Sequence, residues 1–359
     1  MEILFLNLLG FQNLVGLKKD WERIAGNSSL KKTKKDQTIM KVLANDGISE
    51  SGIKALEQGG FEVITTKVAQ EQVANYVNAN DIKVVLVRSA TKIRKDIIDA
   101  CPGLKIIGRG GVGMDNIDVD YARSKGVHVI NTPASSSESV AELVFAHLFT
   151  GVRFLQDANR NMPLEGDSNF DGLKKAYANG IELRGKTLGI IGFGRIGQAT
   201  AKMALGLGMK VIAADKYVDN AEIRVDFYNG QFINVDIVTE PLEDLFKHAD
   251  FITLHVPAQD GYVIGAAEIA AMKDHVGIIN CSRGGVIDEV ALIDALDANK
   301  VLFAGLDVFE NEPKPEIRIL MHQKISLTPH IGAATLEAQD RIGTELAEQI
   351  IGLMKSEKV

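Results

Sequence analysis

One stretch of the chain, Thr187 to Asp215, limits more than any other what the whole can fold into. It opens with a short apolar run and continues through the glycine turn Gly192-Phe-Gly194-Arg-Ile-Gly197 into a segment with helical spacing. A second apolar run follows and ends in an acid. This order predicts a strand, a tight turn, a helix and a second, parallel strand. Such a unit is typical of a doubly wound α/β sheet.

The residue types in this unit suit a bound dinucleotide. Gly192 allows the tight turn, Gly194 lets backbone amides approach a pyrophosphate, and Gly197 lets the helix pack closely on the strand. The phosphates would lie at the helix N-terminus, where unpaired N–H groups and the helix dipole favour an anion. Asp215 would accept hydrogen bonds from a ribose diol and repel a 2′-phosphate, which favours NAD over NADP. A glycine turn without a ligand is the alternative, but the strands, helix and acid in register favour the nucleotide site.

Length and composition predict a globular protein of two domains, one of which contains this unit. The chain has 359 residues, more than one domain usually contains, with 46% hydrophobic and 24% charged residues. Its net charge of −7 argues against a broad nucleic-acid-binding surface. Cys101 and Cys281 lie far apart and in no metal-ligand spacing. We therefore expect two small buried cysteines, a reducing compartment and no metal site.

The first 39 residues differ from the rest of the chain. Their apolar beginning is interrupted by Asn7, Gln12 and Asn13, and it is too short and too polar to span a bilayer. Glu2 stands where a secretory signal would carry basic residues. We interpret residues 1–39 as an N-terminal appendage without a role in the chemistry, and we expect a cytoplasmic protein that binds no membrane.

Short apolar runs alternate with helical segments between Met40 and Thr132. The predicted strands are Met40–Ala44, Phe61–Thr65, Lys83–Val87, Lys105–Ile107 and Val127–Ile130. The predicted helices are Glu50–Gln58, Gln70–Ala79, Lys92–Ala100 and Val119–Lys125. This alternation predicts a parallel sheet covered by helices on both faces.

Cations and glycines follow two of these strands. Arg88 comes directly after one strand, and Arg109 opens the loop Arg109-Gly-Gly-Val-Gly-Met-Asp115 after the next. Ligands of open α/β sheets bind at the carboxyl ends of strands, and the loop amides suit a carboxylate. Two guanidinium groups favour a phosphorylated acid, although each alone could be a solvated surface residue. The predicted substrate-binding residues are Arg88, Arg109, Gly110, Gly111 and Val112.

The remaining segments complete the second sheet. Further strands are predicted at Asp250–Val256, Val276–Cys281 and Leu302–Asp307. Residues 157–186 are predicted to be a polar, irregular connection, and residues 217–240 a hairpin-bearing insertion to which we assign no function. His147 lies on an apolar helical stripe, which favours a packing histidine over a ligand.

Three reactive residues, Arg283, Glu312 and His330, lie just beyond apolar runs in the second half of the chain. Hydride transfer from a 2-hydroxy acid needs a base for the hydroxyl proton and a cation for the carboxylate or the carbonyl. Histidine with a neighbouring carboxylate suits the first task, and the arginine fork suits the second. Each residue has a structural alternative: a capping arginine, a surface glutamate, a satisfied histidine. Together, downstream of a dinucleotide site, they predict a catalytic group.

At these residues the chain resembles the D-2-hydroxyacid dehydrogenase family, and within it the phosphoglycerate dehydrogenases. The resemblance runs from about Met40 almost to the C-terminus. It is carried by the segments Val87–Thr91, Gly108–Asp118, Ser139–Leu143, Gly192–Gly197, Asn280–Asp288, Leu306–Phe309 and Pro329–Thr335. Several such segments in the family's order make the resemblance specific.

The resemblance implies a Rossmann nucleotide-binding domain, residues 138–327, inserted in a flavodoxin-like substrate domain made of residues 40–137 and 328–359. It also implies NAD as cofactor, catalysis by Arg283, Glu312 and His330, and a homodimer joined through the nucleotide-binding domain. The predicted cofactor-binding residues include the glycines and Asp215 identified above, and the resemblance adds the others. The full set is Gly192, Gly194, Arg195, Ile196, Gly197, Asp215, Val256, Pro257, Cys281, Ser282 and Asp307.

The implied reaction is NAD-dependent oxidation of D-3-phosphoglycerate to 3-phosphohydroxypyruvate in serine biosynthesis. Two alternatives stay open: a glyoxylate, hydroxypyruvate or other D-2-hydroxyacid reductase, and an NAD(H)-sensing protein like the corepressors that share the fold. Val112 and Val256 replace threonines that contact the cofactor in relatives, so they offer only backbone or packing contacts. With 29 residues after His330, we expect no C-terminal regulatory domain and no feedback control by serine through one.

Overall fold

A computed structural model describes residues 39–356, and they contain two parallel β-sheets covered by helices. The predicted α/β class with two doubly wound sheets is confirmed. Apart from Ile39, the predicted appendage lies outside the described residues. Among the helices of this range, none has the length and apolar character needed to cross a bilayer.

The first sheet has five parallel strands in the order β2-β1-β3-β4-β5, the flavodoxin-like order that the resemblance implied. Its strands are β1 Met40–Ala44, β2 Phe61–Ile64, β3 Ile82–Val87, β4 Ile106–Arg109 and β5 His128–Asn131. Its helices are α1 Glu50–Gln58, α2 Val73–Ala79, which follows a 3₁₀ turn at Gln70–Gln72, α3 Lys95–Ala100 and α4 Val119–Ser124. The helix predicted from Lys92 begins only at Lys95, because Ile93 forms a strand bridge with Ile117.

The second sheet has six parallel strands in the order β13-β12-β11-β10-β6-β7. Its strands are β6 Thr187–Ile191, β7 Lys210–Ala214, β10 Phe251–Leu254, β11 Val276–Asn280, β12 Val301–Leu306 and β13 Ile325–Leu327. Its flanking helices are α8 Arg195–Gly206, α9 Leu242–His248, α10 Ala266–Ala271, α11 Glu289–Asp297 and α12 Ile317–Met321. The strand order reverses between β6 and β10: β7 is added on one side of β6 and β10 to β13 on the other. Such a switch point leaves a crevice above the strand ends.

The segment before β6 corrects one prediction. Residues 157–186 were expected to be irregular, but helix α6 covers Leu155–Glu165 and helix α7 covers Phe170–Ala176. The Tyr177 hydroxyl donates to Asp157 at 2.8 Å, and its ring lies 6.0 Å from that of Phe154. These tertiary contacts support two short polar helices whose sequence carries no clear apolar stripe, which is why the pattern did not reveal them.

The predicted hairpin in residues 217–240 is confirmed. Strands β8 Asn220–Asp226 and β9 Phe232–Val238 pair antiparallel. Ile223, Val225 and Ile237 are buried on the face that joins the core around α8.

The C-terminal helix α13, Leu336–Ser356, returns to the first sheet. Ile342, Leu346 and Ile350 pack with the apolar residues of β1, β3 and β4, and a Cβ on Gly52 of α1 would lie 2.8 Å from the backbone of Gly343. Helix α5, Ser137–Val152, instead packs in the core of the second sheet. The chain therefore passes from one core to the other near both predicted domain boundaries, 137/138 and 327/328, which stay predictions.

Candidate active site between the two sheets

A cleft of about 580 Å³ lies at the carboxyl ends of strands from both sheets, a size that suits a small-molecule ligand. Most predicted site residues line it: Arg88, Arg109, Gly110, Gly111, Val112, Gly194, Arg195, Ile196, Val256, Pro257, Cys281, Ser282, Arg283, Asp307 and His330. The other predicted residues, Gly192, Gly197, Asp215 and Glu312, do not line the cleft but contact residues near it.

The glycine turn after β6 has the geometry that its three glycines predicted. Gly192 has a φ of +92°, and a Cβ there would lie 2.7 Å from the carbonyl oxygen of His255. A Cβ on Gly197 would lie 2.2 Å from the oxygen of Gly192, whereas a Cβ on Gly194 would meet nothing within 4 Å. Helix α8 begins immediately afterwards, at Arg195. The turn thus leaves open space at a helix N-terminus, which fits a dinucleotide pyrophosphate.

Asp215 ties the glycine turn to the segment after β7. Its Oδ2 accepts a hydrogen bond from the backbone N–H of Phe193 at 2.6 Å. Its Oδ1 accepts from the N–H groups of Tyr217 at 2.7 Å and Val218 at 3.1 Å. A carboxylate has roughly four acceptor positions, so one remains beside these three bonds. The predicted bond to a ribose diol stays a prediction.

His330 and Glu312 form a direct pair. The His330 Nδ1 lies 2.8 Å from the Glu312 Oε2, and Oε1 of the same carboxylate accepts from the backbone N–H of Phe309 at 3.1 Å. Burial raises the pKa of Glu312, but the hydrogen bond and charge of His330 outweigh it and leave that pKa below its ordinary value. Glu312 is therefore ionised at neutral pH, and its charge faces the ring of His330 at Nδ1.

A buried carboxylate holds the turn that carries His330. Asp307 accepts from the Thr328 hydroxyl at 2.6 Å and from the backbone N–H groups of Ile331 and Gly332 at 2.8 Å each. His330 itself has a φ of +55°, and its N–H donates to the Asp307 carbonyl oxygen at 2.8 Å. These bonds over-determine a backbone conformation that a non-glycine residue rarely adopts.

His147 belongs to the support of this turn, not to the cleft. Its ring nitrogens lie 2.9 Å from the Ser326 hydroxyl and 3.0 Å from the Thr328 hydroxyl. The side chain is buried, and burial lowers its pKa. The interpretation of His147 as a satisfied packing histidine is confirmed.

Four guanidinium groups line the cleft, those of Arg88, Arg109, Arg195 and Arg283. Burial lowers the pKa of Arg88, and the charge of Asp46 partly opposes this. Burial, followed by the nearby charge of Arg283, lowers the pKa of Arg109 to about 10, so this group stays charged at neutral pH. The Nε of Arg109 is buried and lacks a hydrogen-bond partner among the described residues. A cleft with this excess of cations suits an anionic substrate.

Arg283 is held by the glycine-rich loop of the first sheet. Its Nε donates to Asp115 Oδ2 at 3.0 Å, and its Nη1 donates to the Ser282 carbonyl at 2.7 Å. A Cβ on Gly113 would lie 1.6 Å from the Arg283 Nη2, so this position needs glycine. The two sheets therefore meet at Arg283.

Among the cleft residues that were not predicted, two have titratable side chains: Asp115 and His255. His255 Nε2 lies 3.3 Å from the Thr200 hydroxyl and 3.2 Å from that of Thr253, while its buried Nδ1 lacks a partner among the described residues. Burial lowers the pKa of His255 to about 3, so it stays neutral. Both residues stand at strand ends, as the predicted residues do, but their chemistry alone did not separate them from surface positions.

Both cysteines are free and buried, as predicted. Burial raises the pKa of Cys281 well above its ordinary value, so this thiol lines the cleft in its neutral form.

Comparisons with known proteins agree with this geometry. Residues 145–332 match the family described as D-isomer specific 2-hydroxyacid dehydrogenase, NAD binding domain. The chain is 41% identical over 321 residues to D-3-phosphoglycerate dehydrogenase of Methanocaldococcus jannaschii. The aligned region covers 89% of this chain and 58% of that protein. It is 42% identical over 316 residues to hydroxypyruvate reductase of Thermotoga maritima, and this aligned region covers 86% of this chain and 97% of that protein.

The chain thus spans little more than half of that phosphoglycerate dehydrogenase and nearly all of that reductase. Among solved structures, it is similar to a glyoxylate reductase from Paecilomyes thermophila at 25% identity and a TM-score of 0.73. The match covers 87% of this chain and 94% of the other.

Proposed function

We propose that this chain, which belongs to the D-isomer specific 2-hydroxyacid dehydrogenase family, transfers hydride between NAD and C2 of a small 2-hydroxy acid. The observation that carries the proposal is the His330–Glu312 pair, 2.8 Å between Nδ1 and Oε2, in the cleft that also contains Arg283 and the open glycine turn. A proton-transfer group, a carboxylate-binding cation and a nucleotide site in one cleft suit this reaction.

We assign cofactor binding to the turn and to the walls beside it. The amides of Gly194, Arg195 and Ile196 would hold the pyrophosphate at the start of α8, and Asp215 would accept from the adenosine ribose. Residues 256–257 and 281–282 would form the wall beside the nicotinamide half. We assign Asp307 to the turn that carries His330, because its oxygens already accept three hydrogen bonds.

When bound, the nicotinamide supplies or accepts the hydride. In reduction, protonated His330 donates a proton from Nε2 to the carbonyl oxygen, since Nδ1 is bonded to Glu312. In oxidation, neutral His330 removes the hydroxyl proton at the same atom. The Arg283 guanidinium binds the substrate carboxylate and polarises the carbonyl group.

The substrate we propose is phosphorylated, with D-3-phosphoglycerate and 3-phosphohydroxypyruvate as the pair. Arg88 and Arg109 line the same cleft as Arg283, and one carboxylate does not need three guanidinium groups. The named function of the Methanocaldococcus relative supports this substrate.

A second candidate is reduction of hydroxypyruvate or glyoxylate without a phosphate. It is favoured by the Thermotoga reductase, because the chain covers 97% of that protein. In that case Arg88 would serve only to raise the positive potential of the cleft.

Kinetics with a substrate panel test the proposal. NADH absorbance would be followed with 3-phosphohydroxypyruvate, hydroxypyruvate and glyoxylate, and we expect the highest kcat/KM for the first. Arg88→Ala should raise KM about tenfold for the phosphorylated acid and much less for glyoxylate, since it removes a charge-assisted hydrogen bond. Arg123→Ala is the matched control, because Arg123 is exposed on α4 and does not line the cleft.

If Arg88→Ala raised KM equally for all acids, the phosphate assignment would be contradicted, but the proposed dehydrogenase activity would not. Absence of turnover with every acid, despite NADH binding, would favour the nucleotide-sensing alternative.

We also propose a homodimer. Leu155, Leu164 and Phe170 on α6 and α7 expose 52%, 79% and 57% of their surface, and we propose these helices as the subunit contact. Leu164→Asp should shift the sedimentation coefficient to that of a monomer, and an unchanged coefficient would place the dimer contact elsewhere.

A further inference from the structure

One ion pair joins the two sheets across the cleft. Asp115 lies in the loop between β4 and α4 of the first sheet, and Arg283 follows β11 of the second. The Arg283 Nε donates to the Asp115 Oδ2 at 3.0 Å, although 168 positions separate the residues. We propose that Asp115 is a positioning residue that orients Arg283 for the substrate carboxylate. This rests on the function proposed above.

The donors of Arg283 are divided in a way that supports positioning. A guanidinium group has five N–H donors in a planar fork. Asp115 uses the Nε donor and the Ser282 carbonyl uses one on Nη1. Within residues 39–356, Nη2 donates no hydrogen bond, so the end of the fork remains available to a carboxylate that binds through two parallel bonds. Asp115 thus holds the side chain without covering that end.

The loop around Asp115 is shaped to receive Arg283. A Cβ on Gly113 would lie 1.6 Å from the Arg283 Nη2 and 2.7 Å from the Asp115 Oδ2. Glycine therefore clears the space in which the guanidinium lies, and the carboxylate two positions later anchors it. The Ser282 carbonyl contributes a second anchor from the other sheet.

Asp115 also reduces the repulsion between two neighbouring arginines. Arg109 and Arg283 are close enough that their like charges oppose each other, and Asp115 opposes that repulsion. Among the described residues that line the cleft, the carboxylates are Asp115 and Asp307, and Asp307 is committed to the His330 turn. Asp115 is therefore a counterion that the two cations share, while Asp46 acts on Arg109 and Glu312 acts on Arg283.

The effect of removing Asp115 on KM distinguishes a positioning role from competition with the substrate. If Asp115 were a competitor that substrate must displace from Arg283, its removal would lower KM. If it positions Arg283, its removal raises KM, because the fork must then be ordered by the substrate itself.

Steady-state kinetics of the full-length enzyme separate these roles. We expect Asp115→Ala to raise KM for the 2-keto acid about tenfold and to lower kcat, while KM for NADH stays within about twofold. Asp115→Asn should fall between Ala and wild type, because an amide oxygen still accepts from Nε. Asp120→Asn is the matched control: Asp120 is an exposed acid in the first turn of α4, outside the cleft, and its change should leave both KM values near wild type.

A double-mutant cycle with Arg283→Lys tests whether Asp115 acts through Arg283. Lysine has no Nε donor in the same position, so Asp115→Ala should have little further effect in that background. Full additivity of the two changes would overturn the proposal, and so would a fall in KM or an equal rise in both KM values for Asp115→Ala.

Binding of oxalate makes the test independent of turnover. Titration calorimetry on the NADH complex would measure this dicarboxylate, which cannot accept hydride. We expect about tenfold weaker binding in Asp115→Ala than in wild type. Equal affinities would overturn the positioning role even in an active enzyme. A protein that binds oxalate in this Asp115-dependent way but reduces no keto acid would contradict the proposed function alone.

Discussion

Two glycine-rich loops meet at the cleft, and their glycines have different purposes. The loop Gly192–Gly197 follows β6 and leads directly into α8, which begins at Arg195. The loop Arg109–Asp115 follows β4, but α4 begins only at Val119. A helix N-terminus therefore faces the cleft behind the first loop and not behind the second.

The atoms around the glycines show the same difference. A Cβ on Gly194 would meet open space, whereas Cβ atoms on Gly111 and Gly113 would lie 2.1 Å from the Arg109 Nη1 and 1.6 Å from the Arg283 Nη2. In the first loop, the space beside Gly194 is open. In the second, arginine side chains occupy the space beside Gly111 and Gly113. A run of glycines at a strand end thus does not by itself identify what binds there.

The largest effect is expected from removing the acid–base side chain while the glycine turn stays intact. His330→Ala should lower kcat by roughly two to four orders of magnitude, the usual range for a positioned acid–base group. NADH affinity, measured by fluorescence titration, should stay near wild type because the glycine turn is untouched. A kcat near wild type would refute the mechanism.

A matched pair of alanine substitutions tests the two loops directly. Gly113→Ala should raise KM for the acid by roughly tenfold or more, equivalent to about 1.4 kcal/mol, because the new methyl group displaces Arg283. Gly194→Ala should instead weaken NADH binding, since its methyl group would occupy the space assigned to the pyrophosphate.

Thermal melting supplies the control for this pair. Gly194→Ala should leave Tm nearly unchanged, because its Cβ meets no atom within 4 Å. If both variants change the same kinetic constant, the proposed division of labour between the loops is wrong.

A smaller effect concerns proton transfer. Glu312→Gln removes the negative charge that the His330 Nδ1 faces at 2.8 Å, while the amide oxygen keeps a hydrogen-bond acceptor. Reduction needs a proton on His330, and a carboxylate stabilises a neighbouring cation more than an amide does, so kcat for reduction should fall about fivefold. A kcat near wild type would show that the 2.8 Å contact has no electrostatic consequence.

The smallest expected effect is on the choice between cofactors. Asp215→Ser should weaken NADH binding and narrow the preference over NADPH severalfold, because a carboxylate repels the 2′-phosphate. Asp219→Asn, an exposed acid on the same turn, is the control and should leave the preference unchanged. Wild-type enzyme that uses NADPH as well as NADH would contradict the role of Asp215.

Local patterns predicted much of the fold. The strand Met40–Ala44 has the predicted bounds, and the glycine unit from Thr187 contains the predicted strand, turn, helix and strand. Helices α6 and α7 escaped prediction because tertiary contacts such as the Tyr177–Asp157 bond help to hold them. Sequence also selected Glu312 and His330, since a carboxylate and an imidazole after apolar runs suit acid–base chemistry.

By itself, the sequence determined most of the strands, the helices with a clear apolar period, the parallel class of the sheets and the reactive character of Arg283, Glu312 and His330. These follow from the period of apolar residues, from turns that only glycine allows, and from residue chemistry at strand ends, all of which are local. Only the tertiary structure decided which reactive groups meet. Asp115 reaches Arg283 because two sheets, each with its own core, direct their strand ends into one cleft. No local period encodes that packing, since it depends on apolar surfaces far apart in the chain.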